Sequence, residues 1–138
     1  MRLWIGTSGY SYPEWKGSFY PADLSAKKMF GYYSERFPTV EINATFYRMP
    51  TDKLIDGWVS AAPPGFRYTL KAPKRITHDK RLADCADLLA MFTESARGLG
   101  PHLASLLFQL PPNMRCDLER FEQFLLSLIH ISEPTRPY

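Results

Sequence analysis

The chain has 138 residues, of which 45% are hydrophobic, 14% aromatic and 22% charged, with a net charge of +3. That length and apolar content suit one ordinary domain with its own core, and the aromatic share argues against disorder. The mild charge names no polyanionic partner. Two cysteines, Cys85 and Cys116, fit neither a disulfide framework nor a metal-ligand spacing.

Leu3 to Gly6 is a short apolar run ended by Thr7-Ser8-Gly9, which predicts a buried strand entering a loop. The loop carries Tyr10, Tyr12, Trp15, Phe19 and Tyr20, much aromatic surface for a connection. Ser25 reads as the cap of a helix through Met29, Tyr32, Tyr33 and Phe37. Thr39 to Tyr47 predicts the clearest strand, because Val40, Ile42 and Ala44 alternate with Glu41, Asn43 and Thr45. Thr51 caps a second helix through Leu54, Ile55, Trp58 and Val59. Phe66 to Lys71 is a third alternating strand. The polar loop from Ala72 to Arg81 leads to a helix with Leu88, Leu89, Phe92 and Ala96. Leu103 to Leu110 predicts a fourth strand, halted by Pro111-Pro112, and a fourth helix begins near Leu118.

Four strand–helix repeats imply parallel strands with crossover helices, compatible with an open doubly wound sheet or a closed barrel. Glu41, Asn43, Thr45 and Lys71 would put polar groups on a sheet face that an open sheet covers with helices. A barrel mouth accommodates them better, which favours the barrel.

Four segments then become recognisable: Gly6–Gly17, Val40–Tyr47, Leu70–Pro73 with Ile76-Thr77-His78, and Leu106–Pro112. In this order and spacing they resemble the YecE-like family (domain of unknown function 72). The resemblance implies an α/β fold, the N-terminal half (about four β/α units) of a TIM-type (β/α)8 barrel. It implies a longer parent protein and leaves the activity open.

Residues 1–125 are thus expected to form a partial barrel domain. The eleven residues Leu126–Arg136 instead resemble the in-frame translation of a transposase-based sequencing adapter. Residues 126–138 are therefore expected to be a foreign tail with few specific contacts, and His130 is no candidate ligand or base. A half barrel would expose sheet edges and core groups such as Trp4 and Leu107. The fragment is thus expected to be insoluble, molten or self-associated, and inactive.

Catalytic groups in such a barrel stand at the C-terminal ends of the strands. Glu41, Lys71 and His78 are the catalytic candidates. Glu41 facing Lys71 could act as a base beside an anion-holding cation, or the two could form a structural ion pair. His78 could move a proton, bind a metal or do neither. Tyr10, Tyr12, Asn43, Tyr47 and Gln109 are the ligand-binding candidates, through stacking or amide contacts, although Asn43 and Thr45 could instead satisfy loop backbone groups. Lys71, Lys74, Arg75, Lys80 and Arg81 form a basic cluster suited to phosphate.

No metal set is defensible, and no cofactor motif is present, which leaves the cofactor unknown. The resulting expectation is an enzyme for a phosphorylated or nucleic-acid-related ligand, or a non-catalytic ligand-binding barrel. It would be cytoplasmic, without a membrane association or an inferable protein partner.

Overall fold

The computed structural model describes residues 1–132. Strands β1 (Gly6–Ser8), β2 (Thr39–Ile42), β3 (Arg67–Lys71) and β4 (Leu103–Leu107) form one parallel sheet in the order β1-β2-β3-β4. Helices α1 (Ala26–Ser34), α2 (Ala44–Tyr47), α3 (Asp52–Ala61) and α4 (Ala86–Arg97) connect the strands. Helix α5 (Leu118–Ser132) follows β4.

Alternation along the strands divides the sheet into two chemically different faces. Val40, Ile42, Tyr68 and Leu70 are at most 5% exposed and pack with Met29, Tyr33, Ile55, Leu89 and Phe92 of the helices. The opposite face carries Ser8, Glu41, Thr69 and Ser105, which the pairing register places in one row across all four strands. A shift in the β3–β4 register makes Ala104 an extra residue, after which Ser105 pairs with Thr69 and Leu107 with Lys71. The bulge thereby keeps a polar side chain at the end of the row, where Thr69 and Ser105 hydroxyls meet at 2.9 Å.

Tyr33 ties α1 to the first two strands. Its hydroxyl accepts from the Thr7 amide and donates to the Thr39 carbonyl, both at 2.8 Å. Gly6 is required for this close approach, because a Cβ there would sit 2.1 Å from the Thr39 carbonyl oxygen. The guanidinium groups of Arg2 and Arg67 both lie over the Trp4 ring, 4.7 and 4.8 Å from its centroid.

Three expectations change. The apolar run Leu3–Gly6 is not a buried strand: β1 begins at Gly6, and Leu3 and Ile5 are 66% and 62% exposed. They lie at a sheet edge, where only one neighbouring strand exists to bury them. The predicted strand to Tyr47 stops at Ile42, because Asn43 turns into the αR region and starts α2. Thr45 therefore leaves the polar strand face and is only 1% exposed.

Beyond Leu126, α5 continues, with Leu128 and Ile131 packed on the core and Arg97 donating to the Ile131 carbonyl at 2.6 Å. Phe121, Phe124, Leu128 and Ile131 continue a helical apolar stripe, and such a stripe docks wherever it came from. Residues 133–138 lie outside the described residues.

Exposed apolar side chains precede the edge strand β1, at Leu3 and Ile5, and follow the edge strand β4, at Leu110, Phe121, Leu125 and Ile129. Trp4 and Leu107, expected to be bared, are half-buried. Unpaired edges next to apolar surface template association between chains. Sedimentation of the 138-residue chain should therefore show concentration-dependent self-association. Ile5→Lys, at an already exposed position, should reduce it without lowering the thermal midpoint. A strictly monomeric parent chain would contradict this.

Candidate functional site

The C-terminal ends of the strands bring the predicted side chains together in two groups. The first forms around Ser8, a residue the sequence reading passed over. Ser8 Oγ donates to Glu41 Oε1 at 2.9 Å and accepts from Asn43 Nδ2 at 2.7 Å. Glu41 therefore does not pair with Lys71. Glu41 stands level with Thr69 in the register, leaving Lys71 one pleat further along β3. Only the pairing of β1 with β2, invisible in a single sequence, puts Ser8 beside Glu41.

The second group centres on Phe46. Lys71 Nζ lies over its ring, 4.7 Å from the centroid, and the His78 imidazole meets the same ring at 5.0 Å and nearly perpendicular. His78 Nδ1 shares a 2.9 Å hydrogen bond with Thr77 Oγ1. The segment expected to be a polar loop supplies this geometry through a π-helical turn, Arg75–Asp79, which buries Ile76 and Thr77 and leaves His78 half-exposed. Such turns recur at functional sites.

Thr45 joins the two groups. Its buried hydroxyl lies 3.1 Å from the Ile42 carbonyl and 2.6 Å from the Lys71 carbonyl, fixing α2 to the ends of β2 and β3. The backbone-satisfying role considered for Asn43 and Thr45 thus belongs to Thr45, while Asn43 turns to Ser8. Among the described residues no carboxylate lies within 4.0 Å of Lys71, the ion pairs being Glu35–Arg36, Glu94–Arg97 and Asp117–Arg120.

The remaining candidates separate. Tyr10 is half-buried against Phe30 and Tyr33, and burial raises its phenol pKa. Tyr12 packs on Trp15 at 4.6 Å and donates to the Ser8 carbonyl. Tyr47 is 76% exposed and touches Phe46 edge-on. Gln109 is exposed two residues beyond β4 and joins neither group. In the basic cluster, Arg81 is held by Asn113, and Lys74, Arg75 and Lys80 are exposed. Among the described residues no three His, Cys, Asp or Glu side chains converge as metal ligands, and no helix is long and apolar enough to cross a membrane.

A parallel α/β sheet with helices packed on one face and polar groups gathered at the strand ends defines the class. The chain belongs to the family described as protein of unknown function DUF72, whose model matches residues 4–132. It is 30% identical over 123 residues to the UPF0759 protein YunF of Bacillus subtilis, covering 85% of this chain and 43% of that protein. Against the UPF0759 protein YecE of Escherichia coli K12 it is 28% identical over 109 residues, covering 79% and 38%. A crystal structure of a DUF72 family protein from Thermotoga maritima superposes with a TM-score of 0.77 at 30% identity, over 93% of this chain and 51% of that one. The chain thus spans about two fifths of the length of these curated relatives and about half of the solved one.

Two predictions follow from the packing beneath the site. Thr45→Val keeps the side-chain shape but removes a buried donor that faces two carbonyls. It should cost about 1–2 kcal/mol in urea unfolding. The second concerns Tyr20, whose hydroxyl donates to the Tyr10 carbonyl and whose pKa is pushed up to about 12 by burial and by neighbouring Tyr33 and Tyr10. Its folded pKa lies above the ordinary value of 10.0, so the unfolded chain loses that proton first. Stability should hold below about pH 10 and fall as pH rises towards 12. Tyr20→Phe should flatten that fall while costing about 1 kcal/mol at neutral pH. An equally steep alkaline fall in Tyr20→Phe would contradict the assignment.

Proposed function

We propose that these strands are the first half of a TIM-type barrel and that the site is the corresponding part of its mouth. In this reading the whole protein is a cytoplasmic enzyme acting on a phosphorylated or nucleic-acid-related ligand. Sequential strand order supports the barrel, as does a sheet with helices on one face and a polar row on the other. In a closed barrel that row faces inward. Lys71 carries the functional reading: it is a cation at a strand end, without a carboxylate partner among the described residues, sharing the Phe46 ring with His78. An ammonium beside an imidazole on one aromatic ring suits an anion, because preorganised polar groups hold charge without reorganising.

Glu41 supplies the base. Ser8 holds its Oε1, and Oε2 is without a hydrogen-bond partner among the described residues, so it is the oxygen that takes a proton. Asn43 fixes Ser8 and so orients the carboxylate.

The same hydrogen bonds favour a second reading. A carboxylate already held by Ser8, with Asn43 fixing that serine, also fits a non-catalytic barrel in which the rim aromatics and Asn43 hold a ligand without turnover. Glu41→Gln in a full-length barrel separates the two: an enzyme loses turnover and its acidic pH limb, whereas a binder keeps its ligand affinity.

The anion assignment is testable on this chain. Inorganic phosphate should shift the His78 ring resonances, and Lys71→Met should weaken that binding about tenfold. Rising salt should weaken it in the parent chain. Unchanged His78 resonances at saturating phosphate would overturn the reading.

A further inference from the structure

Helix α5 carries more apolar surface than its own sheet covers. Phe124, Leu128 and Ile131 pack on the core, whereas Phe121, Leu125 and Ile129, spaced four residues apart along the neighbouring ridge, are exposed. The other flank of the helix is polar. Arg120, Gln123 and Ser127 face the residues that start α4, and Arg120 reaches the Arg81 carbonyl at 3.5 Å. The bare apolar flank therefore looks away from α4, past the unpaired edge of β4.

The opposite edge of the sheet has the complementary deficit. Leu3 and Ile5 are exposed just before β1. Thr7 pairs with Val40, which is buried against the helices, and Leu3 and Ile5 share the parity of Thr7. Continued as strand, they face the helix side of the sheet, where they lack cover. We propose that a second copy of the chain supplies what each edge lacks: β4 of one copy pairs in parallel with β1 of the other, and α5 covers Leu3 and Ile5 of that other copy. The inference rests on the half-barrel reading above and adds the occupant of its open edges.

The exchange is reciprocal. All four strands are parallel and lie in chain order, so a twofold rotation about the axis of an eight-stranded barrel sets β4 of each copy beside β1 of the other. Both seams form together and no strand edge is left over, whereas pairing β1 with β1 leaves both β4 edges open. Two sets of Glu41, Lys71 and His78 then ring one mouth.

The levels along the barrel also agree. Helix α4 runs back along the sheet, and Arg97 in its last turn donates to the Ile131 carbonyl near the end of α5. Ile129 therefore stands near the N-terminal ends of the strands, which is where Ile5 precedes β1. Leu3, Ile5, Phe121, Leu125 and Ile129 of both copies leave water at the two seams. That is on the order of 1,000 Å2 before the strand edges are counted, and stable interfaces bury about 1,200–2,000 Å2.

Sedimentation of the 138-residue chain tests the closed pair. With rising concentration its mass should level off at two copies of the 15.9 kDa chain. Ile5→Lys and Ile129→Glu alter opposite sides of the seam at exposed positions. Each alone should weaken association about tenfold or more, because each spoils both seams. An equimolar mixture of the two variants should recover the dimer, since one seam is then unaltered and the other sets Lys against Glu. A strict monomer, growth past two copies, a mixture no tighter than the single variants, or Ile129→Glu associating like the parent would each overturn the closed pair and leave the half-barrel reading standing. Magnetisation transfer between isotope-labelled and unlabelled copies separates the failure of that reading. Contacts from residues 3–5 to β4 of the other copy are expected. Contacts between the two Glu41 and Thr69 rows, with both edges unpaired, would overturn the half barrel as well.

Discussion

Everything in this molecule depends on the unequal solvation of the two faces of one parallel sheet. Val40, Ile42, Tyr68 and Leu70 bury against the helices, so period-two alternation forces Glu41, Thr69 and Lys71 to the opposite side. A one-residue slip of β2 or β3 would exchange the two sets, stranding a carboxylate and an ammonium in the aromatic core. Each large apolar side chain buried is worth about 1.5–3 kcal/mol, which makes the register close to obligatory. The polar row is therefore a consequence of the core as much as of any local preference. The Ala104 bulge is the one adjustment, and it preserves the row.

The chemistry is built from this constraint outward. A strand end alone would leave Lys71 mobile in water. Thr45 pins the Lys71 carbonyl, α2 swings Phe46 beneath the ammonium, and the π-helical turn brings His78 to the same ring. Glu41 is held by Ser8, which Asn43 fixes in turn, so the carboxylate stays apart from the Lys71 ammonium. In the proposed reading, a base and an anion-holding ammonium kept separate act on different parts of one ligand.

Much of the fold was legible because its signals are local. The Thr51 cap, whose hydroxyl accepts from the Leu54 amide, follows from residue type and position, as does the alternation of Arg67–Lys71. The turn of Asn43–Tyr47 into a helix was hidden, since Ala44, Thr45 and Phe46 extend the strand's pattern and only the Lys71 carbonyl reveals what Thr45 bonds. Ser8 was hidden for a similar reason: a serine after a short strand is ordinary until the register places it against Glu41. Leu3 and Ile5 misled in the opposite direction, because hydrophobicity specifies a wish for burial and the sheet edge does not supply it. Membership of the DUF72 family was legible in four motifs, and the same motifs carry Ser8, Glu41, Asn43, Phe46, Lys71 and His78.

The central claim is that charge recognition belongs to the ordered pair on Phe46 and not to the surface lysines nearby. Tungstate, an electron-dense oxyanion, bound to crystals of the chain tests it through anomalous scattering. The account predicts a principal peak within hydrogen-bonding distance of Lys71 Nζ and the His78 ring. A principal peak on Lys74, Arg75 or Lys80, with Lys71 unoccupied, would contradict it.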